Sequence, residues 1–292
     1  MILLIALLVS CTFSCNRLTR YGLHPTKQAL QKNLKDLAQL VSKLPIKHNP
    51  LCALDQDGRS IVHHCALHNQ PERVQLCLSL QFLHGPGINV NQQDKHGNTS
   101  LHLAATLGHA SVATVLLQDP RIDVHAMDHN GRTALHLAVA YGHVDIVKLL
   151  LKDARIAINR IDDFGNSIIH LAAAYGRVAV VDVLLKDPRI DVNAQNYYGY
   201  VALHLAAAYG RVAVVKVLLK DARIDVNAQN YYGYVALHLA AAYGHASVID
   251  VLLKDRRINP DAIDQYGRDS FCCALQRGKV PVYERLRNMK SA

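Results

Sequence analysis

The stretch Asp128-His129-Asn130-Gly131-Arg132-Thr133-Ala134-Leu135-His136-Leu137-Ala138-Val139-Ala140-Tyr141-Gly142 is one copy of a pattern that returns every 34 residues. Its central dipeptide Leu135-His136 recurs as Leu101-His102, Leu203-His204 and Leu237-His238, with Ile169-His170 filling the remaining place. Val62-His63 stands 39 residues before the first of these, and Phe271-Cys272 stands 34 after the last. The longer first interval fits a looser loop around Gly85-Pro86-Gly87. Glycine keeps the same register at 97, 131, 165, 199, 233 and 267, and again at 108, 142, 176, 210, 244 and 278. Arg189–Gly210 is repeated letter for letter as Arg223–Gly244, the mark of recent tandem duplication. A fixed period of this length reads as an array of small supersecondary units. Seven units follow, roughly 55–93, 94–127, 128–161, 162–195, 196–229, 230–263 and a shortened 264–292.

Within one unit, Asp128-His129-Asn130-Gly131 is a turn signal. Thr133 is placed to cap a helix with its hydroxyl on a free backbone N–H. Ala134–Tyr141 then reads as a short Ala/Leu-rich helix. Gly142 stops it, because glycine accepts the left-handed conformation past a helix end. Val144–Lys152 reads as a second helix whose Ile146 and Leu150, four apart, share a face. Val112/Leu116, Val180/Leu184, Val214/Leu218 and Val248/Leu252 repeat that pair. Helices this short are unstable alone, so cohesion must come from stacking on neighbours.

Thr133-Ala134-Leu135-His136-Leu137-Ala138 and Thr99-Ser100-Leu101-His102-Leu103-Ala104 resemble the T-P-L-H-x-A signature of the ankyrin-repeat family. The resemblance covers about residues 55–292. It implies an all-α solenoid of about seven helix-turn-helix units with short hairpin-like turns. Two features depart from the family pattern. The period is 34 rather than 33, through an extra residue in loops such as Asp187-Pro188-Arg189-Ile190, and the signature proline is absent. The capping Thr becomes Val201 and Val235 in the duplicated units, a loss expected to cost each helix about 1 kcal/mol. The loop Leu-Leu-Lys-Asp-Pro-Arg-Ile-Asp-Val-Asn-Ala resembles units of ankyrin proteins from intracellular bacteria. The last unit reads as a cap, its second helix Val280–Arg287 carrying Tyr283, Glu284, Arg285 and Arg287 among apolar positions.

Half the residues are apolar and 19% are charged, which excludes a disordered chain. The longest uncharged apolar run, Met1–Val9, is too short for a transmembrane bundle. Six of the nine net positive charges fall in residues 1–50, so the basic character belongs to a short arm at 16–50 and not to the repeats at 51–292. In that arm Leu30, Leu34, Leu37, Val41 and Leu44 make Lys27–Lys43 an amphipathic helix stopped by Pro45. It reads as an N-terminal capping helix, with a partner helix as the alternative.

Residues 1–15 form a hydrophobic N-terminus. Leu8-Val9-Ser10-Cys11 resembles a lipoprotein cleavage box with Cys11 as the lipidated residue, although the basic residues that normally precede such a run are missing. Export or a lipid anchor, with the membrane as a partner of the arm, stands beside a mis-set start or an ordinary hydrophobic end. The seven cysteines form no C-x-x-C and fit free thiols, which favours a reducing compartment, the cytoplasm of its own or a host cell.

No phosphate loop, dinucleotide fingerprint, H-E-x-x-H or nucleophile elbow is present, so no catalytic residue and no cofactor is assigned. The signature histidines His63, His102, His136, His170, His204 and His238 occur once per unit. Packed helices lie about 8–10 Å apart, too far for successive histidines to share a zinc. The resemblance implies instead that they hydrogen-bond within the turn framework. His64 and His68 share a helix face, but no third metal ligand is evident in sequence, and no metal is expected.

The resemblance places partner contacts on the turn tips and the exposed side of the first helices. Those positions hold Phe164, then Tyr197, Tyr198 and Tyr200, then Tyr231, Tyr232 and Tyr234, then Tyr266. Tyr141, Tyr175, Tyr209 and Tyr243 mark the ends of four first helices. Eleven of the thirteen tyrosines fall in these two groups. Tyrosine offers contact area and a hydrogen-bonding end at little entropic cost. The expectation is a non-enzymatic, monomeric scaffold or adaptor binding a protein through this face, with a packing role for the same tyrosines as the competing explanation. A membrane-tethered or secreted effector-type adaptor acting on host proteins is the alternative. Few Lys or Arg interleave the rings, which disfavours nucleic acid.

Overall fold

The computed structural model describes residues 54–80 and 88–290. The expected lipid-anchor residue Cys11, the helix at Lys27–Lys43 and the Gly85-Pro86-Gly87 loop lie outside these residues. Two compact units share the chain, divided after Asp128. Among the described residues the first holds two helix pairs: α1 (Ile61–Leu67) with α2 (Pro71–Leu80), and α3 (Ser100–Leu107) with α4 (Ala110–Leu117). The second holds five: α5 (Ala134–Tyr141) with α6 (Val144–Lys152), α7 (Ile168–Ala174) with α8 (Val178–Leu185), α9 (Ala202–Ala208) with α10 (Val212–Leu218), α11 (Ala236–Tyr243) with α12 (Ala246–Leu252), and α13 (Ser270–Gln276) with α14 (Val280–Lys290). Among the described residues there is no β-strand, only an isolated bridge between Ile161 and Ser167 at a turn.

Helix placement follows the periodicity. In the second unit the first helices of successive pairs pack side by side from α5 to α13, and the second helices from α6 to α12 form a parallel row. The i, i+4 pairs of the second helices close the space between the rows. Ile146, Leu150, Val180, Leu184, Val214, Leu218, Val248 and Leu252 are all buried. From α3 onward each first helix ends against a left-handed glycine, for example Gly142 at φ 85°, while α1 is followed by the left-handed Asn69 at φ 49°.

The helix starts are capped differently from the expectation. Among the described helix starts, Thr99 and Asp269 accept a backbone N–H through a side-chain oxygen, from His102 and Cys272. Elsewhere the signature histidine takes over the cap. The N–H groups of Ser60, Thr133 and Ser167 donate to Nδ1 of His63, His136 and His170 at 3.1–3.2 Å. The hydroxyls of the same three residues lie 2.9 Å from those ring nitrogens. Because Nδ1 accepts, Nε2 carries the proton, and it donates across to the following pair. His63 reaches the Asn98 carbonyl, His170 reaches Tyr200 at 2.7 Å, and His238 reaches Arg268. At His63, His136, His170 and His238 the imidazole therefore sits at the start of its own helix and ties it to the following turn, whereas His204 Nε2 is buried without a hydrogen-bond partner.

This arrangement moderates the cost expected for the duplicated units. Val201 and Val235 lose the hydroxyl contact, yet their N–H groups still donate to His204 and His238 at 3.0 and 3.2 Å. Their side chains are buried, so apolar area replaces part of the lost hydrogen bond.

The loop that carries the thirty-fourth residue has a structural task. Arg189 grips Asp187 through Nε and Nη2 at 2.9 and 2.6 Å, and Nη2 also donates to the Leu151 carbonyl at the end of α6. Arg223 and Arg257 repeat the device onto Leu185 and Leu219, each at 2.6 Å. Beside it, Asn159, Asn193 and Asn227 donate to the carbonyls of Arg189, Arg223 and Arg257 at 2.7–2.8 Å. These contacts satisfy loop carbonyls that no helix ladder reaches.

The last pair departs from the sequence reading at one cysteine. Cys273 is buried, but Cys272 is exposed rather than set in buried helix. The equivalent His238 is covered by the following turn, and no described element packs over Cys272. Phe271 and Tyr283 meet edge to face at 6.5 Å, and Arg285 turns back to a two-pronged pair with Asp250.

Candidate functional site

Each turn tip is built on an Asx side chain. Asn196 Oδ1 accepts the N–H groups of Tyr198 and Tyr200, and Asn230 Oδ1 accepts those of Tyr232 and Tyr234. Such a carboxamide or carboxylate mimics a backbone turn and leaves the intervening side chains pointing outward. Successive tips are joined by backbone: Tyr231 N–H donates to the Tyr198 carbonyl at 3.2 Å, and Gln265 N–H to Tyr232 at 3.1 Å.

The structure divides the tip tyrosines by environment. Tyr197 and Tyr231 lie against the turn glycines of the preceding repeats, where a Cβ on Gly165 or Gly199 would come within 2.7 Å of their rings. Both glycines have positive φ, 76° and 75°, so the position resists substitution twice over. Tyr200 and Tyr234 are half-buried, their rings 5.8 Å from those of His204 and His238. All of the outer tip rings remain exposed: Tyr197 and Tyr231 at 60% and 65%, Tyr198 and Tyr232 at 52% and 43%, with Tyr266 at 68% and Phe164 at 57%.

Burial pushes the Tyr200 phenol above its ordinary value, and the neighbouring phenols of Tyr243, Tyr232 and Tyr234 add to the effect. Of the helix-end tyrosines, Tyr243 thus lies near the tip rings around Tyr200. Tyr141, Tyr175, Tyr209 and Tyr243 are each about half exposed. Cross-repeat bonds hold the column in place. Arg177 donates to the Ala140 carbonyl, Arg211 to Ala174 and His245 to Ala208, each one residue before a tyrosine.

Two arginines complete the surface. Arg268 sits 4.6 Å over the Tyr266 ring while bonding Asp264, Gln276 and the Tyr234 hydroxyl. Its donors are committed. Arg277 lies 5.9 Å over Tyr243 and, among the described residues, meets no carboxylate. The sequence signal for it was available, since Arg277 stands in the register of the helix-end tyrosines. Ile161 and Ile263, on the turn edges, add exposed apolar area where the equivalent Gln195 and Gln229 bridge to the next repeat's backbone.

Elsewhere, His64 Nε2 lies 2.9 Å from Asp55 Oδ2, a carboxylate partner that spacing alone did not reveal. Among the described residues no group of three His, Cys, Asp or Glu could hold a metal ion. No helix among them is long and apolar enough to cross a membrane.

A family model for ankyrin repeats in three copies matches residues 26–128, 120–196, 156–230 and 203–290. Ankyrin repeat domain-containing protein 13C of Danio rerio is 38% identical over 63 residues, which is 22% of this chain and 12% of that protein. The matched part is thus a small fraction of the relative's length. The capping histidines, the left-handed glycines, the paired helices and the span of the family match together place this chain in the ankyrin-repeat family.

Proposed function

We propose that the protein is a non-enzymatic, monomeric adaptor that binds a protein partner through the tyrosine-rich face of its last four repeats. Ankyrin repeats are in general protein–protein interaction modules, and the finer assignment rests on one observation. Tyr198, Tyr232 and Tyr266 stand outward on rigid Asx turns without taking part in the contact that Tyr197 and Tyr231 make with the preceding repeats. Large amphipathic rings held ready in water lose little entropy on binding and gain area when covered.

A pull-down from the native cell with the full chain tests this reading. Replacing Tyr198, Tyr232 and Tyr266 by Ala is expected to cut partner recovery at least about tenfold, since three aromatic contacts commonly carry more than 1 kcal/mol each. Thermal unfolding of the same variant is expected to stay close to wild type. Undiminished recovery of every partner by the folded variant would exclude this face.

A further inference from the structure

The helix-end column has a spacing that selects among peptide conformations. Tyr141, Tyr175, Tyr209 and Tyr243 occupy one register position at the C-terminal ends of first helices packed side by side. Neighbouring packed helices lie about 8–10 Å apart. A polyproline II segment advances about 9 Å per turn of three residues, so every third residue returns to the same side at that interval. An extended β-strand turns its third residue to the opposite face.

Hydrogen bonding leads to the same choice. Each ring carries a hydroxyl that, once covered, needs an acceptor or pays a desolvation cost. An α-helical segment has spent its carbonyls internally, whereas the polyproline II backbone keeps all of them free. Proline rings also lie flat on aromatic faces, and the preformed conformation lowers the entropy of docking. At the C-terminal end of the column Arg277 covers Tyr243 without a carboxylate among the described residues, so the ladder ends on an exposed cation.

We infer that the column from Tyr175 to Tyr243 docks a proline-rich segment of the partner, with prolines three apart on successive rings and an acidic residue at the end that meets Arg277. This inference rests on the reading of the tyrosine face given above. The wild-type column is pinned by Arg211 and His245, so the spacing exists before the ligand arrives.

Fluorescence anisotropy of the full chain with three labelled peptides is the test. The probes are nonaproline followed by two glutamates, nonaproline followed by two lysines, and a Gly/Ser nonamer followed by two glutamates. The first is expected to bind at least about tenfold more tightly than the third, and severalfold more tightly than the second. Tyr209→Ala and Tyr243→Ala should each weaken the first probe about tenfold. Arg277→Ala should remove the preference for glutamate over lysine and keep the preference for proline. The absence of tryptophan leaves tyrosine emission as an independent readout of ring contact.

Equal binding of the proline and Gly/Ser probes overturns the inference, as does binding indifferent to Tyr209 and Tyr243, and a helical partner segment would give that result. Equal binding of the two proline probes overturns the acidic end. If partner capture still depends on Tyr198, Tyr232 and Tyr266 in those cases, the face stands and only its proline-rich occupant falls. If capture ignores them too, both readings fall.

Discussion

Lowering the pH from about 7.5 to about 4.5 is expected to remove several kcal/mol from the stability of the second unit, before most carboxylates titrate. Burial drives His204 down from its ordinary 6.5 to about 4, against the opposing pull of the Ala228 and Tyr234 carbonyls and of Asp225. His170 and His238 are lowered for the same first reason, burial. A protonated ring would place an Nδ1–H against the backbone N–H it now accepts. The unfolded chain therefore binds protons that the folded chain refuses. The stability these neutral rings contribute is complete above about pH 6.5 and is lost as the pH falls through the folded values. For His204 alone that shift corresponds to about 3 kcal/mol once the pH reaches its folded value. Urea unfolding followed by circular dichroism at the two pH values measures the loss. An unchanged midpoint would mean that the histidines are not held neutral.

Leu184→Ala is expected to cost about 3 kcal/mol, because the residue is fully buried between the helix rows and its site has little room to collapse. In a stacked array such a loss weakens both neighbouring interfaces. Tyr198→Ala should cost less than about 0.5 kcal/mol, since the ring is half exposed and takes no part in the backbone bonds of its turn. Urea midpoints of the two variants, compared with wild type, separate packing residues from presented ones. A Tyr198→Ala penalty as large as that of Leu184→Ala would assign the tip ring to the core.

The repeats, the helix pairs and the stopping glycines were legible because they obey local rules: a 34-residue register, an i, i+4 apolar pair, and a φ that only glycine adopts easily. The sequence also marked most of the exposed tyrosines, but it set Tyr200 and Tyr234 at the tips, where the structure half-buries them against His204 and His238. It did not separate Tyr197 from Tyr198, because that difference arises from the Gly165 backbone of the repeat before it. Nor did it show that Val201 keeps half its cap, which depends on His204 Nδ1 rather than on the capping side chain. The Asp55–His64 pair and the exposed Cys272 share this cause. Each is set by how one side chain meets another element, and spacing along the chain does not encode that meeting.

Tip packing and tip presentation also carry different consequences for evolution of the face. Duplication copied Tyr197 and Tyr198 together into Tyr231 and Tyr232, so each new repeat gained one ring against the preceding turn glycine and a second beside it, both of them exposed.

Hydrogen–deuterium exchange of the full chain, with and without its captured partner, tests the binding face most directly. Protection is predicted at residues 197–200, 231–234 and 265–268 and at the ends of α9 and α11, with the exposed sides of α8, α10 and α12 unchanged. Protection confined to those second helices, with the tips exchanging as in the free protein, would contradict it.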